Sequence, residues 1–171
     1  MAEREKPQTE DLPKIDASGH GVLIIEAPYY ADVSDALRAG ALAELEAAGA
    51  GHERIVVPGA LEIPQVLAQA VDAGLFAKGG LAPGRFSGVV ALGCVIRGET
   101  SHYDIVCDNA NHWLMRLAME QALPLGNAIL TVDTHAQAVA RAEGGRLGKG
   151  GDAARACLRL IEMARDLRGR A

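Results

Sequence analysis

The sequence predicts an α/β fold: a three-layer αβα sandwich around a four-stranded parallel sheet. Three observations predict it. Short, continuous apolar runs recur along the chain, as expected of strands buried on both faces. A segment with apolar residues at helical spacing follows each run. Aromatic residues make up only 4% of the chain and alanine is abundant, which favours close-packed helices over an aromatic-rich barrel.

The elements follow in order. Gly21-Val22-Leu23-Ile24-Ile25 reads as the first strand. Asp32 to Ala48 reads as a helix, with Val33, Leu37, Ala41 and Leu45 on one stripe, stopped by Gly49 and Gly51. Glu53 to Val57 is the second strand, broken by Pro58-Gly59, and Glu62 to Gly74 is the second helix. Lys78 to Arg85 is rich in Gly and Pro and reads as a surface loop. Ser87 to Ile96 is the strongest strand signal, and a long helix spans Ser101 to Ala122. Ala128 to Val132 is the fourth strand and Thr134 to Arg141 a short helix. Glu143 to Gly151 reads as a glycine-rich loop, and Asp152 to Leu167 as a final amphipathic helix. Strand and helix alternate four times, so the sheet is parallel with helices on both faces. In such sheets ligands bind beyond the carboxyl ends of the strands.

Composition narrows the classes of function. The chain has 171 residues, 49% of them hydrophobic, enough for one domain with a sizeable core. Residues 1–18 are polar and charged and read as a flexible tail, leaving 19–171 as the single domain. The net charge is -5, without a basic tract, which argues against nucleic acid as a partner. There is no signal-peptide pattern at the start and no apolar run of about 18 residues to cross a membrane. Cys94, Cys107 and Cys157 are odd in number and widely spaced, as for reduced thiols in the cytoplasm. With the histidines they show no short ligand spacing, so no metal is expected.

Candidate chemistry lies at the strand ends. Tyr29, after the first strand, suits stacking on a planar ring, or a loop aromatic covering the sheet edge. After the second strand, Ala60-Leu61-Glu62 opens a helix. Its carboxylate and free amides suit polyol hydroxyls, although Glu62 also suits the helix dipole on its own. Arg97-Gly98-Glu99-Thr100-Ser101-His102-Tyr103-Asp104 is the most informative stretch. Gly98 permits a sharp turn, Thr100 or Ser101 can cap the helix, and free amides at a helix start suit a phosphate. His102 falls in the first helical turn, where the helix dipole favours the neutral imidazole used in proton transfer. A surface histidine paired with Asp104 or a loop group is the competing reading. Asn127, before the fourth strand, suits the polar edge of a heterocycle or a turn, while Arg141 and Lys149 on their own read as solvated cations. His20, His52, His112 and His135 read as surface or packing residues without partners.

Taken together these segments resemble the lumazine synthase family. The resemblance runs from about His20 to Leu167. It is sharpest at Val57-Pro58-Gly59-Ala60-Leu61-Glu62-Ile63-Pro64 and at Ala91 to Asp104, with a weaker third part at Ile129 to Asp133, Gln137-Ala138 and Arg141-Ala142. It implies a flavodoxin-like fold and a transferase of riboflavin biosynthesis that needs no metal or organic cofactor. The implied reaction condenses 5-amino-6-(D-ribitylamino)uracil with 3,4-dihydroxy-2-butanone 4-phosphate to give 6,7-dimethyl-8-ribityllumazine. It further implies a homopentamer with active sites shared between neighbours, sometimes built into a 60-subunit icosahedral shell.

Residue by residue, the resemblance implies that Tyr29 stacks on the pyrimidine and that Ala60, Leu61 and Glu62 hold the ribityl chain. Cys94, Val95 and Ile96 match the strand end that reads the uracil edge. Glu99 and Thr100 match the phosphate turn and Arg141 its cationic partner. His102 matches the proton-transfer residue, while Asn127 and Lys149 match positions near the ring. The family often has Phe at the position of Tyr29 and Thr at that of Cys94, and the Gly144–Lys149 segment departs from its usual glycine loop. Two other readings compete: a non-catalytic flavin- or lumazine-binding protein on the same fold, and an FMN carrier. The carrier would want a hydroxyl-rich phosphate loop where Glu26-Ala27-Pro28-Tyr29 stands.

Overall fold

The computed structural model describes residues 8–76 and 84–171. The loop expected at Lys78–Arg85 lies for the most part outside them. Along the chain run β1 (Gly21–Glu26), α1 (Ala31–Ala47), β2 (Gly51–Val56), α2 (Glu62–Asp72), β3 (Gly88–Ile96), α3 (His102–Gln121), β4 (Leu125–Val132), α4 (His135–Ala142) and α5 (Lys149–Arg168). Among the described residues the sheet has four strands in the order β2-β1-β3-β4, and every pairing is parallel. This is the expected three-layer α/β architecture.

The two-residue period of the strands divides the core. Val22 and Ile24 of β1, Val90, Leu92 and Cys94 of β3, and Leu130 and Val132 of β4 face the layer formed by α1, α4 and α5. Leu23 and Ile25, Val89 and Ala91, and Ile129 face α2 and α3. Side chains go to both faces, so these strands carry continuous apolar runs rather than alternation. Outermost β2 differs: Gly51 to Arg54 are exposed, and its charged residues suit an edge that must not pair further.

Three boundaries differ from expectation, each for a packing reason. The stretch read as a tail is anchored before the first strand. Ile15 and Ala17 are buried, and the Ala17 amide donates to the Ala48 carbonyl at 2.9 Å. β4 starts at Leu125, because Val89 to Ile96 of β3 pair with it along its whole length. Lys149, Gly150 and Gly151, read as loop, form the first turn of α5. Glycine is a poor helix former in isolation. Here it is required by proximity: a Cβ on Gly150 would run into the Leu37 carbonyl of α1, and one on Gly126 into the Ala153 carbonyl of α5.

Two buried carboxylates pin the layers. Glu26, at the end of β1, is 1% exposed and binds Arg38 of α1 at 2.9 Å and Arg54 of β2 at 3.0 Å. Glu44 of α1 accepts from Arg146 at 2.8 Å and from Arg155 of α5 at 3.1 Å. Each carboxylate is matched by two guanidinium groups, so neither charge is left buried alone.

Candidate active site

A cleft of about 420 Å³ opens beyond the carboxyl ends of β1, β2 and β3, a size typical of small-molecule sites. It lies where the strand order places ligands in open parallel sheets. Nine of the predicted residues line it: Tyr29, Ala60, Leu61, Glu62, Cys94, Val95, Ile96, Thr100 and His102.

Each wall follows from local folding. After β1 the chain turns tightly, the Tyr29 amide donating to the Ala27 carbonyl at 2.9 Å. That turn leaves the Tyr29 ring 72% exposed above the cleft. After β2, the Glu62 amide donates to the Gly59 carbonyl at 3.2 Å and the Ile63 amide to the Ala60 carbonyl at 3.3 Å. This starts α2 directly at Glu62, whose carboxylate lies over Gly59: a Cβ on that glycine would stand 3.0 Å from Oε2. Ala60 and Leu61 thus present main chain and small apolar surface beside one carboxylate, a suitable lining for a hydroxylated chain.

The third wall is the end of β3 and the start of α3. Cys94 is buried, and burial followed by the nearby Asp32 charge pushes its thiol up to about 11. It is therefore a neutral wall atom at physiological pH, not a thiolate nucleophile. Its strand neighbours Val95 and Ile96 are half-buried, where their main chain can meet a planar edge. The Thr100 hydroxyl accepts from the His102 amide at 3.4 Å, a weak cap. Ser101 stands at the cap position without a side-chain cap bond. His102, the first residue of α3, is exposed at the mouth. Asp104 does not pair with it as the competing reading held. Instead Asp104 binds Arg97 at 3.3 Å, Arg97 also reaches Asp133 at 3.1 Å, and its guanidinium covers the Tyr103 ring at 4.1 Å. Arg97 thereby ties the ends of β3 and β4 to the first turn of α3.

Four predicted residues are outside the cleft lining of the single chain. Glu99 is exposed in the turn beside it. Asn127 lies inside β4 rather than before it. Its Oδ1 accepts from the Ile129 amide at 2.9 Å and its amide group donates to Asn111 at 2.7 Å. Arg141 donates to the Gln137 carbonyl of its own helix at 3.2 Å. Lys149 pairs with Asp152 at 2.8 Å.

The cleft also holds residues that the sequence reading did not pick for the site: Gly59 and Gly98, read only as turn formers, and Ala27, Tyr30, Tyr103 and Val106. Val106 was findable, being one helical turn beyond His102. Tyr30 was not, because nothing local marks which of two adjacent tyrosines turns inward. Two histidines read as unpartnered have partners: His20 Nδ1 lies 2.8 Å from the Ser87 hydroxyl, and His135 lies 3.0 Å from Asp32.

Residues 19–165 match the 6,7-dimethyl-8-ribityllumazine synthase family. A protein of Rhodopseudomonas palustris named 6,7-dimethyl-8-ribityllumazine synthase 1 is 48% identical over 167 residues, covering 98% of each chain. A relative from Nitrobacter hamburgensis, named 6,7-dimethyl-8-ribityllumazine synthase, is 47% identical over the same length, again covering 98% of each chain. A third so named, from Methylocella silvestris, is 54% identical over 149 residues, 87% of this chain and 88% of its own.

Proposed function

This chain belongs to the 6,7-dimethyl-8-ribityllumazine synthase family and is a transferase of riboflavin biosynthesis, and we propose that its strand-end cleft is where the reaction takes place. The reaction joins 5-amino-6-(D-ribitylamino)uracil to 3,4-dihydroxy-2-butanone 4-phosphate, losing phosphate and water. The observation that carries the assignment is convergence: Tyr29, Glu62, Thr100 and His102 come from three different strand ends and line one space. The non-catalytic binding alternative has no support from the relatives, all named as synthases.

Within this reading, Tyr29 stacks on the pyrimidine while the main chain at Cys94, Val95 and Ile96 meets its polar edge. Ala60, Leu61 and Glu62 take the ribityl hydroxyls. The turn at Glu99 and Thr100 and the start of α3 take the phosphate of the second substrate, with the Glu99 carboxylate turned to solvent. Imine formation, phosphate loss and ring closure each move a proton, and His102 at the mouth is placed to carry it. Holding two substrates side by side supplies much of the rate.

Asn127, Arg141 and Lys149 reach the cleft of a neighbouring copy in this reading. The single-chain bonds of Arg141 and Lys149 are exposed and cheap to exchange, as is the bond from the Asn127 amide group to Asn111, while the Asn127 Oδ1 stays on the Ile129 amide. In this reading the assembly is a homopentamer, the 60-subunit shell being the alternative, and the protein works in the cytoplasm. Among the described residues no helix is long and apolar enough to cross a membrane. Incubation with both substrates, followed by lumazine absorbance, tests the reading. Absence of product would overturn it.

A further inference from the structure

Tyr29 is the ring assigned to the pyrimidine, yet its own surroundings barely restrain it at 72% exposure. A ring so exposed is free to change rotamer, and each lost orientation weakens stacking. Tyr29 meets Tyr30 edge to face, with centroids 5.0 Å apart and planes at 68°. Tyr30 in turn is half-buried, packs against the core of the α1/α4/α5 layer, and stands edge-on to His135 at 6.3 Å. His135 opens α4 and binds Asp32, in the first turn of α1, at 3.0 Å. Four side chains from two helix starts and one loop thus form a continuous line from the cleft to the outer layer.

We propose that Tyr30, His135 and Asp32 are a brace that sets the orientation of the Tyr29 ring, making them positioning residues for the pyrimidine substrate. The proposal rests on Tyr29 being the stacking ring. The contacts are of the right kind: edge-to-face rings fix angle as well as distance. The division of labour is also clear. Burial holds Tyr30 in place, whereas the hydrogen bond to Asp32 holds His135 against it and ties α4 to α1. The hydrogen bond from His135 keeps the Asp32 carboxyl below its ordinary value, so the pair is charged at neutral pH on the Asp32 side. The ring contacts and the hydrogen bond of the brace run from Tyr29 to α1 and α4, away from Thr100 and the start of α3, so His135 and Asp32 should not affect the phosphate substrate.

The test is steady-state kinetics of the intact enzyme, with the KM of each substrate measured separately. Tyr29→Ala is expected to raise the pyrimidine KM by about tenfold, the usual effect of losing one stacked base. His135→Ala is expected to raise it about threefold, the scale of one aromatic contact, with the KM of the butanone phosphate and kcat little changed, and Tyr30→Leu, which also alters the cleft wall, by at least as much. Tyr30→Phe, which keeps the ring edge, is expected to recover most of the Tyr30→Leu loss. In a Tyr29→Ala background the His135→Ala effect should vanish, because a brace has nothing left to hold. His135 and Asp32 are exposed, so His135→Ala and Asp32→Asn keep the fold even where Tyr30→Leu does not. A His135→Ala effect that persists at full size without Tyr29, or no effect of either brace variant beside an intact Tyr29→Ala effect, overturns the brace alone. An unchanged pyrimidine KM in Tyr29→Ala overturns the stacking assignment and the brace together.

Discussion

At the ends of β1, β2 and β3, Tyr29, Glu62, Thr100 and His102 face a common space. On the α4–α5 side, Arg141 and Lys149 turn back onto their own helices, one to a carbonyl and one to a carboxylate. Both groups were chosen from the sequence by the same resemblance, and the single chain assembles only the first. The difference lies in what fixes each position. A parallel sheet brings its strand ends together whatever else the chain does, so residues just after those ends must converge. Residues on the outer helices are placed by what packs against them, and a second copy is part of that environment.

Ways to break or sharpen the contrast run from large to small. The largest effect is expected from Gly150→Leu, which forces a side chain into the Leu37 carbonyl and detaches the start of α5 from α1. Thermal or urea unfolding should show a loss of about 3 kcal/mol or more. His102→Ala should lower kcat by roughly tenfold to a hundredfold, the low end for proton-transfer groups because proximity supplies much of the rate, while pyrimidine binding persists. Unchanged turnover would remove His102 from that role.

Arg141→Ala should raise the KM of the phosphorylated substrate by about tenfold, the scale of one lost charge-assisted contact. The same variant decides between one chain and two. If each site takes His102 from one subunit and Arg141 from its neighbour, an equal mixture of the two variants, dissociated, reassembled and assayed well below the KM of the phosphorylated substrate, should regain about a quarter of wild-type activity. If both residues act in one chain, the mixture gains nothing. The smallest effect is at Asp32. Its carboxyl should titrate by NMR below the ordinary 3.8, and His135→Ala should move it back up. A depressed carboxylate stabilises the fold above the unfolded value, and that contribution disappears as pH falls through the folded one.

The sheet and its helices were legible because burial on two faces leaves unbroken apolar runs, as in Gly88 to Ile96. The strand-end residues were legible for the reason already given, that topology gathers them. What the sequence hid was tertiary. Gly150 and Gly151 look like a loop until the Leu37 main chain of α1 and the Arg146 main chain are seen to fill the places their side chains would take. Ile15 and Ala17 look like tail because two apolar residues in a polar stretch make no period. His135 and Asp32 are far apart in the chain, and only the neighbouring starts of α4 and α1 join them.

The burial of Cys94 has a practical side. Cys157 is buried too, with its thiol pushed up to about 12, while Cys107 on α3 is partly open. A thiol-directed dye should therefore mark Cys107 first. That gives one addressable reporter per subunit, on a helix that begins at the mouth of the cleft, without engineering any cysteine away.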